Sequence, residues 1–144
     1  MKIVIQEPAH HEEDTITISV RNMTENIMRA INLLKSPNQL TVYIDNRAMP
    51  LSVSEIFYIE SVDLKTFVYT EESVYQVKQK LYEVEDLLGK DEFLRINRQT
   101  IINIKKIKSF SPAGNGRFQA TLTNGENVIV SRQNVSALKE VFGI

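Results

Sequence analysis

The 144-residue chain contains no cysteine. That excludes disulfides, thiolate nucleophiles and thiolate metal sites, and it fits a reducing cytoplasm. Histidine is almost as scarce. His10 and His11 are adjacent and precede Glu12, Glu13 and Asp14. Neighbours on an extended chain point to opposite faces, so the pair chelates poorly and reads as part of a solvated loop, with no metal. A Gly-rich phosphate loop, a dinucleotide glycine pattern and a G-x-S-x-G elbow are all missing. Asp45, Glu55, Glu60 and Asp63 form no recognisable acid/base pair. The expectation is no enzyme, no cofactor and no small-molecule substrate. Long apolar runs are missing too. The opening MKIVIQEPAHHEED is too poor in them for a signal peptide, and no run is long enough to cross a bilayer. A cytoplasmic protein is expected.

What is present is a charge split. The net charge is only −1, but residues 1–92 hold nine Lys/Arg against sixteen Asp/Glu, whereas residues 93–132 hold seven against the single Glu126. Either one face of the molecule meets an anion, or the two halves neutralise each other within the fold. At 42 % hydrophobic the chain can bury a core, and its length suits one domain or one domain with a small addition.

Periodicity divides the chain near residue 38. KIVIQ (2–6) and TITISV (15–20) read as strands, the second alternating polar and apolar. Asn22 with Glu25 reads as a capping box opening a helix, with Met23, Ile27, Ala30, Ile31 and Leu34 on one face and a stop at Ser36–Asn38. This β-β-α unit, residues 1–38, is small for an independent fold, and a dimerisation or inhibitor-docking role is expected of it. A receiver-type phosphoacceptor domain needs far more chain. From residue 39 to 144 the pattern is mainly β. LTVYI, MPLSV, IFYIES and TFVYT are short β-branched and aromatic runs. SVYQV (73–77) reads as a strand or as the first turn of the next helix. Leu81, Val84 and Leu88 follow helical spacing up to Gly89, placed as a C-terminal cap. SPAGNG (111–116) reads as a hairpin loop, Asn124-Gly125 as a hairpin turn, and residues 134–142 as a closing helix.

The basic charge concentrates in FLRINRQTIINIKKI, residues 93–107, where apolar residues are threaded between the cations. If extended, Arg95, Asn97 and Gln99 share one side, and Ile96, Arg98 and Thr100 the other. A core-facing arginine is costly, so the chain is expected to leave the sheet near 97–99 and project as a loop. Phe93, Ile101, Ile102, Ile104 and Ile107 are expected in the core. Arg and Asn suit base edges, and Lys105, Lys106 and Lys108 suit phosphates. The structural alternatives are an ion pair for Arg98 and turn formation for Asn97 and Asn103.

FLRINRQTIINIKKIKSF followed by LTNGENVIVSRQNVSALKEVF resembles the LytTR (LytR/AgrA-type) DNA-binding domain of bacterial regulators, through Phe93, Arg95, Arg98, Asn103, Ile107, Leu122, Asn124, Gly125, Val130, Ser131 and Arg132. Upstream, Ile56, Tyr58, Ile59 and Glu60 resemble the family's strand before its first loop. Asn97 stands where the family usually has histidine, and Gln99 where serine is frequent. The resemblance implies an elongated antiparallel β domain that reads DNA through loops. It implies base contacts from Asn97, Arg98, Arg132, Gln133 and Lys65 and a phosphate contact from Thr66, while Arg95, Lys105, Lys106 and Lys108 are expected on phosphates from their charge. It also implies double-stranded promoter DNA as partner, two copies on paired direct repeats, and kinship with small stand-alone regulators restrained by a membrane-protein inhibitor. A protein-interaction module that has lost DNA binding is the competing class.

Overall fold

The computed structural model describes residues 1–10, 14–35 and 38–144. Helix α1 (Glu25–Lys35) is followed by β1 (Gln39–Ile44), β2 (Arg47–Ser52), β3 (Tyr58–Val62), β4 (Lys65–Tyr69), β5 (Val74–Val77), α2 (Leu81–Leu88), β6 (Phe93–Asn97), β7 (Thr100–Asn103), β8 (Ile107–Gly114), β9 (Arg117–Leu122), β10 (Asn127–Val130) and α3 (Arg132–Val141). The strands form an antiparallel seven-stranded sheet in the order β2-β1-β5-β4-β3-β7-β6 and a three-stranded sheet in the order β10-β9-β8. The fold is mainly β with short helices, as expected.

The strands expected at 2–6 and 15–20 do not form a ladder. A two-stranded pair is marginal without a third strand or an apolar layer against it. Helix α1 is capped by Thr24 rather than Asn22: the Ile27 N–H donates to Thr24 Oγ1 at 3.3 Å, and the Met28 N–H to the Thr24 carbonyl at 3.0 Å. His11, Glu12 and Glu13 lie outside the described residues, as do Ser36 and Pro37, so the histidine–acid cluster and the helix stop fall partly outside them.

Two apolar cores flank the large sheet. Leu81, Val84 and Leu88 lay one stripe of α2 against Ile59, Val68, Val77 and Ile101 on one face. On the other face, over its β6–β7 side, Ile96 and Ile102 meet Ala120, Leu122, Val130, Val135 and Leu138 from the small sheet and α3. Strand alternation thus sends the adjacent Ile101 and Ile102 into different cores, both fully buried. Each such side chain contributes roughly 1.5–3 kcal/mol by leaving water. Phe93 is buried with the first core, while Ile104 and Ile107 are only half-buried. SVYQV resolves as strand β5, because Tyr75 and Val77 pair with β4 at Val68 and Thr66.

Three hairpins close with two-residue turns at positive φ: Asp45–Asn46, Asp63–Leu64 and Asn115–Gly116. The expected loop at 111–116 is therefore mostly strand, and only its last two residues turn. Helix α3 starts at Arg132, two residues earlier than its sequence pattern suggests, because extended Ser131 already serves as its N-cap.

Candidate nucleic-acid interface

The candidate interface lies at one end of the strands. The β6–β7 hairpin turns there through Arg98 and Gln99. Four hydrogen bonds hold it. Asn97 Oδ1 accepts from the Gln99 N–H at 2.9 Å, and Asn97 Nδ2 donates to the Ile129 carbonyl at 3.1 Å, tying the turn to β10. The Ser61 N–H donates to the Gln99 carbonyl at 2.8 Å, tying it to β3. Arg95 donates through Nη1 to the Arg98 carbonyl at 2.7 Å, while its Nε meets Glu85 at 3.1 Å. The turn is pre-organised, with Arg98 exposed beyond it.

The start of α3 reaches the same place. The Ser131 N–H donates to the Ile96 carbonyl at 2.8 Å, and Asn134 Nδ2 donates to Ser131 Oγ at 2.6 Å. Arg132 is the first residue of the helix, and its aliphatic stem lies over the Asn115–Gly116 turn. A Cβ on Gly116 would stand 2.7 Å from Arg132 Cδ and 2.8 Å from Cγ. Gly116 also sits at φ 76°, a conformation that L side chains rarely adopt. Gly116→Ala should therefore cost about 1–2 kcal/mol of stability and displace Arg132. Thermal unfolding and a DNA titration of the same variant check this: both should fall, and a variant that loses neither contradicts the contact.

Between these parts lies an open cleft of about 790 Å³. Arg98, Arg117 and Arg132 line it, with Asn115, Gln133 and Asn134, and no acidic residue does. The N-terminus of α3 opens onto it and adds the positive end of a helix dipole. Three guanidinium groups, free N–H groups and carboxamides suit a ligand with dispersed negative charge and donor–acceptor edges.

Several residues expected to contact DNA lie away from this cleft. The Asp63–Leu64 turn makes Lys65 and Thr66 strand residues rather than loop residues. Lys65 is exposed beside that turn, at the end of the sheet that carries Arg98. Thr66 is 3 % exposed and faces the core, so its hydroxyl does not reach a phosphate. Arg95 is half-buried against Glu85 and acts on the turn. Asn97, expected to contact a base, commits both amide atoms to the turn. The lysines lie at the far end of the strands. Lys105 pairs with Glu92 at 3.0 Å, Lys106 lies over the Phe57 ring at 4.9 Å, and Lys108 is exposed near the start of β8. β8 runs from there back to the cleft, so Lys108 is some six residues, or roughly 20 Å, from the Asn115–Gly116 turn.

The Tyr58–Tyr69 stack, with centroids 4.3 Å apart, also occupies the far end. Burial first, then the Glu126 carboxylate, pushes the Tyr58 phenol far above its ordinary value; burial, followed by Glu60, raises Tyr69. Both rings stay neutral at physiological pH.

Arg117 and Asn115 join the site without having been singled out by sequence. The signal available was Asn115-Gly116, a two-residue turn pair, with an arginine directly after it in the basic half. Among the described residues no three His, Asp or Glu side chains converge to hold a metal, and no helix is long and apolar enough to cross a membrane.

A mainly antiparallel β domain with an acid-free arginine cleft made by loops and a helix N-terminus has the form and charge that suit a nucleic-acid-binding module. The chain belongs to the LytTr DNA-binding domain family, whose model matches residues 46–143. The LytTr DNA-binding domain of a Bacillus cereus protein described as a methyl-accepting/DNA response regulator superposes with a TM-score of 0.71 at 33 % identity, covering 76 % of this chain and 100 % of that one. A Staphylococcus aureus (strain NCTC 8325 / PS 47) protein described as an HTH-type transcriptional regulator is 26 % identical over 100 % of this chain and 99 % of its own. The Enterococcus faecalis sensory transduction protein LytT is 26 % identical over 92 % of this chain, which spans 57 % of that longer protein. No two helices of this chain are consecutive, since five strands separate each from the next, so no helix-turn-helix is formed among the described residues.

Proposed function

We propose that the chain is a transcription regulator that binds double-stranded promoter DNA in a sequence-dependent way through the loops at the cleft end, without catalysis. Arg98 and Arg132 reach base edges, where a guanidinium can donate two parallel hydrogen bonds to one guanine. Gln133, in the first turn of α3, and Lys65, from the neighbouring hairpin, add polar contacts. Arg117 and the α3 N-terminus hold phosphates, which fix position and register. Asn97 and Arg95 position the turn that carries Arg98. The acid-free cleft with three arginines, on a chain of net charge −1, is the observation that carries this reading. The acidic remainder limits indiscriminate binding to DNA.

The family resemblance adds that two copies, each presenting one such end, bind paired direct repeats. Footprinting of the bound promoter should show two protected patches on one DNA face, separated by whole helical turns of about 10.5 base pairs. A single patch at saturation contradicts the two-copy reading. The salt dependence of affinity separates the two ends of the molecule. Arg117→Ala should lower the slope of log K against log salt by about one, and Lys105→Ala should leave it unchanged. The reverse result would place the phosphates at the lysine end.

A further inference from the structure

The peptide unit between Arg98 and Gln99 is held at both of its polar ends. Its N–H, on Gln99, donates to Asn97 Oδ1 at 2.9 Å, and its carbonyl, on Arg98, accepts from Arg95 Nη1 at 2.7 Å. Holding that plane holds ψ of Arg98 and φ of Gln99. The ladder cannot do this alone. Its register shifts between Arg95 and Asn97, at the last step before the turn, and the Ile96 carbonyl accepts from Ser131, outside the ladder. Arg95 aims at the Arg98 carbonyl only while its own guanidinium plane is fixed. Its Nε lies 3.1 Å from Glu85 Oε2. Nε and Nη1 belong to one rigid planar group, so holding the first aims the second. Glu85 itself stands on a firm base. Leu81, Val84 and Leu88 bury α2 in the first core, and the Gly89 N–H closes the last turn on the Glu85 carbonyl at 3.2 Å.

We propose that Glu85 is a positioning residue for sequence reading. It holds Arg95 so that the 98–99 peptide, and with it the Arg98 side chain, keeps the orientation that meets a base edge. The proposal rests on the base-reading role given to Arg98 above. Glu85 does not line the cleft; it borders a separate cavity on the α2 side, beside Leu94 and Ala137. Its action is therefore through Arg95. Charge alone predicts the opposite effect, because a carboxylate repels phosphate and its removal should strengthen binding to any duplex. The pair is also a weak stabiliser of the fold, since the Arg95 and Glu85 side chains stay 28 % and 29 % exposed. Its contribution is one of direction: it fixes a guanidinium that fixes the turn.

Fluorescence anisotropy of the full chain tests this, on a duplex carrying the footprinted site and on a scrambled duplex of the same length, at one salt concentration. The readout is the ratio of the two affinities. That ratio does not depend on the fraction of protein that is folded, so a loss of stability does not move it. Glu85→Ala should bind the footprinted site about 5-fold more weakly, and scrambled DNA up to about 2-fold more tightly. Glu85→Gln keeps an acceptor oxygen for Arg95 and should recover most of the ratio. In an Arg98→Ala background, Glu85→Ala should leave the ratio where Arg98→Ala alone puts it. If Glu85→Ala tightens both duplexes equally while Arg98→Ala lowers the ratio, the proposal is overturned and the reading of Arg98 stands. An equal loss of ratio with and without Arg98 overturns it as well, because Glu85 would then act through another residue. An Arg98→Ala variant with the wild-type ratio overturns the base-reading role itself, and this proposal with it.

Discussion

Arg132→Ala should weaken binding to the promoter site by about 10- to 100-fold, the equivalent of one lost bidentate base contact at about 1–3 kcal/mol. The effect is expected to be large because the stem of Arg132 already has a packing contact in the free protein. Its stem rests on Gly116, and its backbone opens α3 behind Ser131, which is itself tied to Ile96. That contact reduces the side-chain entropy lost on binding. Fluorescence anisotropy against the promoter duplex and a scrambled duplex, at one salt concentration, separates reading from charge. The specific complex should lose most of the affinity and the scrambled one only a few-fold. Arg132→Lys keeps the charge without the planar fork, so it should restore binding to scrambled DNA more than to the promoter. A lysine variant that matches wild type on the promoter would reduce Arg132 to a phosphate contact.

Asn103→Leu should cost about 3 kcal/mol of stability, a drop on the order of 6–12 °C in the unfolding midpoint, without altering sequence preference. Asn103 is one of the residues that carry the family resemblance, yet it is 3 % exposed and far from the cleft. Its Nδ2 donates to the Ile56 carbonyl at 2.8 Å, its Oδ1 accepts from the Lys105 N–H at 3.1 Å, and its own N–H donates to the Phe57 carbonyl at 2.9 Å. Leucine fills the volume but orphans the Ile56 carbonyl and the Lys105 N–H in a buried junction between β7 and the segment before β3. Guanidinium unfolding gives the stability loss, and binding of the still-folded variant gives the preference. A changed preference at unchanged stability would reverse the assignment.

Asn97 and Asn103 lie six positions apart in one motif, and both proved to hold backbone. Their side-chain type suits a turn and a base edge equally, so only the positions of Ile129 and Ile56 decide between the two. These partners are 32 and 47 residues away. From residue 39 onward, most local patterns were read correctly. Short β-branched runs became strands, Gly89 ended α2 at φ 77°, and Asn124-Gly125 turned the β9–β10 hairpin. Register was harder. The Asp63–Leu64 turn consumes two residues, which puts Lys65 outward and Thr66 inward, and alternation alone does not show where a hairpin turns.

The basic run divides between the two ends of the domain. Residues 93–107 fold back on themselves, so Arg98 sits at one end of β7 and Lys105 beyond the other. Arg117, nineteen positions after Arg98 in sequence, comes back beside it because β8 retraces the length of the domain. The two N-terminal strand patterns illustrate another limit. Alternation shows that a segment suits a ladder, not that a ladder forms.

The central claim is that DNA meets the cleft end and not the lysine end. Tethered cleavage tests it most directly. With no native cysteine, an iron chelate can be attached to a single thiol at Asn115→Cys, in the β8–β9 turn, or at Lys108→Cys, near the opposite end of β8. Hydroxyl radicals released on the bound promoter should cut the DNA backbone next to the site from position 115 and leave it uncut from position 108. Cleavage from position 108 with none from position 115 would contradict the account.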